Sequence, residues 1–327
     1  MNGISQHQGG WDVHAHIVPP GVIAAADRGA FGMISTSDSL KICGHGVPVH
    51  PISNVGKLIE RVHADDLDGA IVSIPPPLFR PDLSASQRRD YVDLANASLL
   101  EACRAHARTL RPYAHLPAED PELAADIAST LDQAWVGVVM GTELGEVTYS
   151  SPRYDALWQT LTARHLPLFI HPGASPDRRL DPFYLGNLLG NPIETTIAAS
   201  HLIFGGVLER HPGLTVILAH GGGCVAALCG RWQRGVDTRR PGVPNLASPP
   251  IDAIRRFYVD SIVHSAQALA ALTAVIGDDR ILVGSDWPFP MGNPSANHGL
   301  DHLDPATRHR IRKLNAEAAF GARLTPS

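Results

Sequence analysis

Several things are scarce in this 327-residue sequence, and each scarcity closes off a class of protein. No run of about 20 apolar residues occurs, so no segment reads as a bilayer-spanning helix. The N-terminus lacks a positively charged start followed by an apolar stretch, so no secretory signal is expected. The four cysteines, Cys43, Cys103, Cys224 and Cys229, show neither a disulfide-dense pattern nor zinc-ribbon spacing; they are expected to be reduced and mostly buried, as in a cytoplasmic enzyme. Basic residues are in deficit, 27 Lys and Arg against 32 Asp and Glu, and no basic cluster is interleaved with aromatics, which argues against a nucleic-acid partner.

What is present is a 44% hydrophobic fraction, ample for a buried core, and 17 histidines. Histidine is the commonest metal ligand and the side chain that exchanges protons near neutral pH. The first pattern to use it is Trp11-Asp12-Val13-His14-Ala15-His16-Ile17, stopped by Pro19-Pro20. Successive side chains on a strand point to opposite faces, so His14 and His16 project to one side and Val13 and Ile17 to the other.

Further along, apolar runs alternate with helical periodicity. Strands are predicted over 69–74, 111–116, 135–140, 166–171, 214–220, 257–263 and 281–286. Helices are predicted over 55–66, 87–108, 121–133 with Asp120 as its N-cap, 152–164, 191–210, 224–234, 266–276 and 305–320. That makes about eight β-then-α units, the content of a (β/α)8 barrel in a single domain spanning 1–327. Residues 21–52, rich in Gly, Ser and Pro, read as a long loop inserted after the first strand, with the placing of a lid over the catalytic mouth. The competing doubly wound sheet lacks its Gly-rich dinucleotide fingerprint after the first strand. Trp135 and Trp158 read as packing residues.

In a barrel, strand ends distant in sequence share one mouth. His14, His16, His171, His220 and Asp286 all fall at such ends and are expected to face one cavity. Neutral imidazoles with a carboxylate suit Zn²⁺ or a similar divalent ion with a position left open. The order of these residues resembles the amidohydrolase superfamily over essentially the whole chain. The closer likeness is to the amidohydrolase-related decarboxylases typified by 2-amino-3-carboxymuconate-6-semialdehyde decarboxylase. It is carried by Val13-His14-Ala15-His16, Phe169-Ile170-His171-Pro172, Asn191 to Ala198, Gly205 to Pro212, Ala219-His220-Gly221-Gly222-Gly223 and Gly284-Ser285-Asp286-Trp287-Pro288.

The resemblance implies that His14, His16, His171 and Asp286 ligate one metal and that His220 is the catalytic acid/base. Asp286 has proton donor as an alternative role, as the family suggests for some aromatic-acid decarboxylases. Binuclear relatives bridge their ions with a lysine at the end of the fourth strand; here the lysines are Lys41, Lys57 and Lys313, and the fourth strand ends in Val139-Met140-Gly141. One ion is therefore expected, Zn²⁺ first and Mn²⁺ as the alternative, because N/O donors accept both.

The expected activity is non-oxidative removal of CO₂ from a small aromatic or unsaturated carboxylic acid. The alternative is hydrolysis of a lactone, amide or C–C bond on the same fold, or hydration. Where the muconate-semialdehyde enzymes carry a Trp after the His-Pro of the fifth strand, this chain has Gly173, and the loop around His50 offers no Arg, so a different acid is expected. Arg178 or Arg179 is a candidate carboxylate clamp, with a surface position as the bland alternative; His50 and His264 are further pocket candidates. The glycines 221–223 either present backbone N–H groups to a carboxylate or merely permit a tight turn. His106, His165, His201, His211 and His309 fall in helical stretches and are expected to have no catalytic role. A homodimer is implied by the resemblance, with residues 191–210 as a possible contact.

Overall fold

The structure, a computed structural model, describes residues 8–42, 45–145 and 147–325, which leaves Cys43 outside the described residues. The first strand, β1 (Trp11–His16), is buried along its whole length. It is followed by helix α1 (Pro20–Asp27) and a small antiparallel sheet of β2 (Ile34–Ser35), β3 (Ser39–Ile42) and β4 (His45–Pro48). The main frame then alternates: α2 (Val55–Ala64), β5 (Gly69–Ser73), α3 (Ala85–Arg104), β6 (Leu110–His115), α4 (Pro121–Thr130), β7 (Gly137–Met140), α5 (Asp155–Ala163) and β8 (Leu168–Ile170). The second half continues with α6 (Asn191–Phe204), α7 (Val207–Arg210), β9 (Val216–Leu218), α8 (Val225–Asp237), α9 (Pro250–Ala253), β10 (Phe257–Asp260), α10 (Ala266–Ile276), β11 (Ile281–Leu282), α11 (Pro305–His309) and α12 (Asn315–Phe320).

Strands β1 and β5 to β11 form one parallel sheet in sequence order. It closes on itself where Val13 N–H donates to Val283 O (2.8 Å) and His16 N–H to Trp287 O (2.9 Å), so the chain beyond β11 runs beside β1. Eight parallel strands with intervening helices make the expected (β/α)8 barrel. The strands are near-continuous Val, Ile and Leu runs because helices cover their outer faces and packed side chains fill the inside. Asp120 caps α4 as expected, its carboxylate accepting from Leu123 N–H, and Trp158 is fully buried.

Two expectations are corrected. Residues 21–52 are not a structureless loop, since they hold α1 and the β2–β4 sheet. Ser39-Leu40-Lys41-Ile42 alternates as a half-buried strand should, with Leu40 and Ile42 inward, but so short a run is obscured by the Gly and Ser around it. The predicted helix over 191–210 is two helices, because Gly206 adopts φ 67° and restarts the chain as α7.

Between α11 and α12 a single widened turn, Arg310–Leu314, carries Arg312 into the protein. Its buried guanidinium donates to Gly9 O (3.0 Å), Asp65 O (3.1 Å) and Asp66 O (2.7 Å), tying the last helix to the approach to β1. We expect Arg312→Met to remove these bonds, costing roughly 3 kcal/mol in chemical denaturation. A change below about 0.5 kcal/mol would show that the tie is idle.

Candidate metal centre and its cavity

The C-terminal ends of the strands bring the five predicted side chains to one place. His14 and His16 leave the same face of β1, His171 follows β8, His220 follows β9, and Asp286 sits beyond β11. Ligand atoms of His14, His171, His220 and Asp286 lie within 4.8 Å of one another. His16 joins them, its Nε2 being 3.2 Å from His14 Nε2 and 3.1 Å from Asp286 Oδ1.

The orientation of each ring follows from its second nitrogen. His14 Nδ1 lies 2.7 Å from Asp260 Oδ2; an ionised carboxylate only accepts, so Nδ1 carries a hydrogen and Nε2 is the atom turned toward His16 and Asp286. His171 Nδ1 likewise donates to Pro172 O (2.9 Å), leaving a buried Nε2 with no hydrogen-bond partner among the described residues. His16 Nδ1 meets Ser73 Oγ at 3.1 Å, which fixes its ring against the end of β5. Burial, reinforced by the neighbouring imidazoles, pushes His171 well below the usual histidine range and keeps it neutral. Burial opposes ionisation of Asp286, yet His14, His16 and His220 outweigh it and hold this group as a carboxylate. Imidazole nitrogens facing one carboxylate are what a divalent cation requires, the ion taking the place of the proton that Asp286 and Asp260 favour on His14, so these residues fit a metal.

Asp260, the last residue of β10, was not singled out from sequence, and it organises the centre. Its Oδ2 accepts from the His14 ring and from His220 N–H (2.9 Å), and its Oδ1 from Gly221 N–H (2.9 Å) and Ile262 N–H (3.1 Å). The predicted strand 257–263 ran past it, although a carboxylate closing a strand was the same signal that located Asp286. Asp12 does related work at the barrel seam, accepting from Ser285 Oγ (2.5 Å) and Ser285 N–H (3.0 Å). The glycine turn takes the second of its two sequence readings. Gly221 N–H binds Asp260, Gly222 N–H binds Ala219 O and Gly223 N–H binds His220 O, so those donors are engaged inside the protein. Gly223 is required there, since a Cβ would collide with the Pro192 carbonyl.

Above the centre opens a cavity of about 560 Å³, lined among others by Arg80, Glu143, His171, Tyr184, His220 and Asp286. Ile42 of β3 also lines it, so the inserted sheet lies at the catalytic mouth. His264 lines an adjoining cavity of about 380 Å³ together with His220 and Asp286. Arg178 and His50 are not brought there. The Arg178 side chain is 93% exposed beside Asp181, and His50 is exposed in the turn after β4. Arg179 is engaged by Asp177 at the surface.

Arg80 and Glu143 line the cavity and were passed over by sequence reasoning, as was the buried His115. Arg80, in the loop after β5, pairs with Asp82 at 2.7 Å and donates to Phe31 O. His115, at the end of β6, stacks on Phe79, whose ring meets the edge of His171. Burial pushes His115 down to about 4. Arg80, Tyr184, His220, His264 and Asp286 all adopt left-handed backbone, with φ of 55° to 60°. Such conformations are costly for residues with a side chain and gather at functional sites, but no sequence pattern announces them.

Two outcomes follow. Asp260→Asn, which weakens the hold on His14 and the 220–221 backbone, should lower metal affinity roughly 10- to 100-fold in chelator competition; unchanged affinity would show that Asp260 does not orient the ligand. Burial raises Glu143 to about 7, helped by Glu119, Glu194 and Asp82 and resisted by the Ala174 N–H. A carboxyl raised on folding keeps its full stability below the unfolded value and loses it as pH rises through the folded one. Glu143→Gln should therefore melt higher than the parent at about pH 8, with the gap closing below about pH 5. A gap independent of pH would refute the assignment.

Against known proteins, residues 11–322 match the amidohydrolase family model described as "Amidohydrolase". The chain is 28% identical over 239 residues to 2-amino-3-carboxymuconate-6-semialdehyde decarboxylase of Dictyostelium discoideum, covering 72% of this chain and 66% of that protein, just under two thirds of its length. It is 26% identical over 286 residues to gamma-resorcylate decarboxylase of Rhodococcus jostii, covering 78% and 84%. Among solved structures it resembles a dihydroxybenzoic acid decarboxylase of Polaromonas sp. with bound manganese and 2-nitroresorcinol, at TM-score 0.77 and 21% identity over 96% of this chain and 97% of that one, a likeness of fold. With four histidines and Asp286 converging from strand ends at one mouth and a match over nearly its whole length, the chain belongs to the amidohydrolase family.

Proposed function

We propose that this protein is a metal-dependent carboxy-lyase that removes CO₂ without oxidation from a small aromatic or unsaturated carboxylic acid, the whole chain acting as one catalytic domain. The observation that carries the reading is the convergence of four imidazoles and Asp286 at the cavity, together with relatives named as decarboxylases. In this reading His14, His16, His171 and Asp286 hold one divalent ion, Zn²⁺ or the manganese found in the Polaromonas neighbour. The bound ion would draw electron density from the substrate's oxygen or nitrogen donors as the C–C bond to the carboxylate breaks.

The remaining work belongs to side chains. Loss of CO₂ leaves the C–C bonding pair on the ring or alkene carbon, and a proton must replace the carboxylate there. His220 is the donor. Its backbone is pinned by Asp260, its Nε2 stands 3.7 Å from Asp286 Oδ2, and its Nδ1 has no hydrogen-bond partner among the described residues. Asp286 steadies the protonated ring until transfer. His264, in the adjoining cavity, is placed to contact the substrate. Arg178, 93% exposed, and His50 have no part in this reading.

A cytoplasmic homodimer completes the proposal. The described cysteines, Cys103, Cys224 and Cys229, are free, and no helix among the described residues is long and apolar enough to cross a membrane. Phe183, Tyr184, Leu188, Leu189 and Ile197 leave an exposed apolar surface at and before α6, within and beside the expected contact.

Metal analysis of the purified protein, with a screen of ortho-hydroxy and ortho-amino benzoates and muconate semialdehydes for CO₂ release, is the test. About one ion per chain with CO₂ evolved supports the reading, whereas solvent oxygen incorporated into product without CO₂ would replace it with hydrolysis. His171→Ala should lose the ion. His220→Ala should keep the ion and lose turnover by about 100-fold or more; a normal rate would remove His220 as proton donor.

A further inference from the structure

We propose that Glu143 is a specificity-determining residue of the cavity, selecting acids whose ring carries a hydrogen-bond donor, a hydroxyl or amino group, over those with an ether or a second carboxylate at that place. The inference rests on the decarboxylase reading above and names the substrate class more narrowly.

Glu143 lies three residues past the end of β7, in a loop that faces the same cavity as His171, His220 and Asp286. Its carboxyl occupies the room beside Gly173, two residues after His171, where a Cβ would come within 2.8 Å of Glu143 Cδ. The missing side chain at Gly173 and the carboxyl of Glu143 are therefore two parts of one feature. The loop after His171 carries no side chain there, and a half-buried acid takes its place on the cavity wall.

Neighbouring acids have side-chain partners. Asp82 pairs with Arg80 (2.7 Å), Glu119 with Arg88 (2.7 Å), and Glu194 accepts from Ser175 Oγ (2.8 Å). Among the described residues, the polar group that meets Glu143 is the backbone N–H of Ala174, which leaves a carboxylate with several lone pairs only partly used. Glu119, Glu194 and Asp82 each raise the cost of charge at Glu143. A second substrate carboxylate would add to that repulsion, and an ether oxygen would bring one acceptor against another. A hydroxyl or amino group would donate to the carboxylate and repay its partial desolvation. A site built to bind such a group discriminates against the analogue that lacks it, because its own polar atom is then left unpaired.

The test uses the metal-loaded enzyme at about pH 8, where Glu143 is ionised, and matched salicylates bearing a further hydroxyl or amino group or, at the same place, methoxy. Binding is followed by calorimetry and turnover by CO₂ release. The parent enzyme is expected to favour the donor-bearing acids, and Glu143→Leu to reduce that preference by about tenfold or more. Glu143→Gln keeps the size of the side chain and guards against misfolding; as a neutral acceptor it should reduce the preference severalfold. Preference unchanged in Glu143→Gln overturns the assignment, as does a parent enzyme with no preference. Donor preference in binding that weakens in the variants, without CO₂ from the parent, sinks the decarboxylase reading and leaves the Glu143 assignment standing. CO₂ release with a preference indifferent to both substitutions does the reverse, and binding of none of these acids overturns both.

Discussion

One buried carboxylate, Asp260, holds the centre together. It is fully enclosed at the end of β10 and binds the ring of His14 from β1 and the backbone at His220 and Gly221 after β9. A histidine of the first strand and a histidine turn more than 200 residues later are thereby fixed by the two oxygens of a single group. An unpaired buried carboxylate would be costly, and Asp260 avoids that cost only while all of its partners stay in place. The same bonds that satisfy Asp260 therefore orient the His14 Nε2 that faces His16 and Asp286 and set the left-handed backbone of His220. Stability and site geometry are coupled here through one residue.

The barrel explains why such economy is possible. Strand order in the sheet follows chain order, so each strand end meets the ends of its two sequence neighbours, and β1 meets β11 across the seam. Asp12, Ser285 and the His14 carbonyl, which accepts from Asp286 N–H, knit that seam together. Asp286 consequently arrives opposite His16 through the main-chain pairing that closes the barrel, without needing a long lever of its own. The adjacent cavity can then be walled by loops that differ in size and charge, leaving the strand-end residues untouched.

This division sets what sequence could reveal. His14, His16, His171, His220 and Asp286 were legible because each closes a recognisable apolar run, and their convergence follows once eight βα units are counted. Asp260 carried the same signal and was lost because the predicted strand ran three residues too far. Residues 21–52 were misread because a four-residue strand such as β3 has too few positions for alternation to stand out from Gly and Ser. Arg80 and Glu143 belong to another class, since their places depend on loop conformations, that of Arg80 with φ of 55°, that side-chain pattern does not encode. Arg178 shows the converse: its charge and its place after His171 suggested a clamp, but the chain directs it to solvent.

Charge balance gives the physical case for a divalent ion. Asp260 and Asp286 are both held in the ionised form inside the barrel, despite burial, by the histidines around them. Burial and the other imidazoles keep His171 neutral, and burial lowers His16 as well, so neither offsets those charges. For His14, burial works against a positive charge, but Asp286 and Asp260 overcome it and push the group up to about 10. One proton on one imidazole is thus the positive charge that these residues supply for themselves, against two carboxylates in a poorly solvated space. A divalent ion bound at the facing Nε2 atoms and Asp286 would bring two positive charges and also give the orphaned Nε2 of His171 a partner. The donor set is therefore matched to a doubly charged ion more closely than to a proton or a monovalent one, and the second-nitrogen bonds to Asp260, Ser73 and Pro172 keep the lone pairs turned toward it.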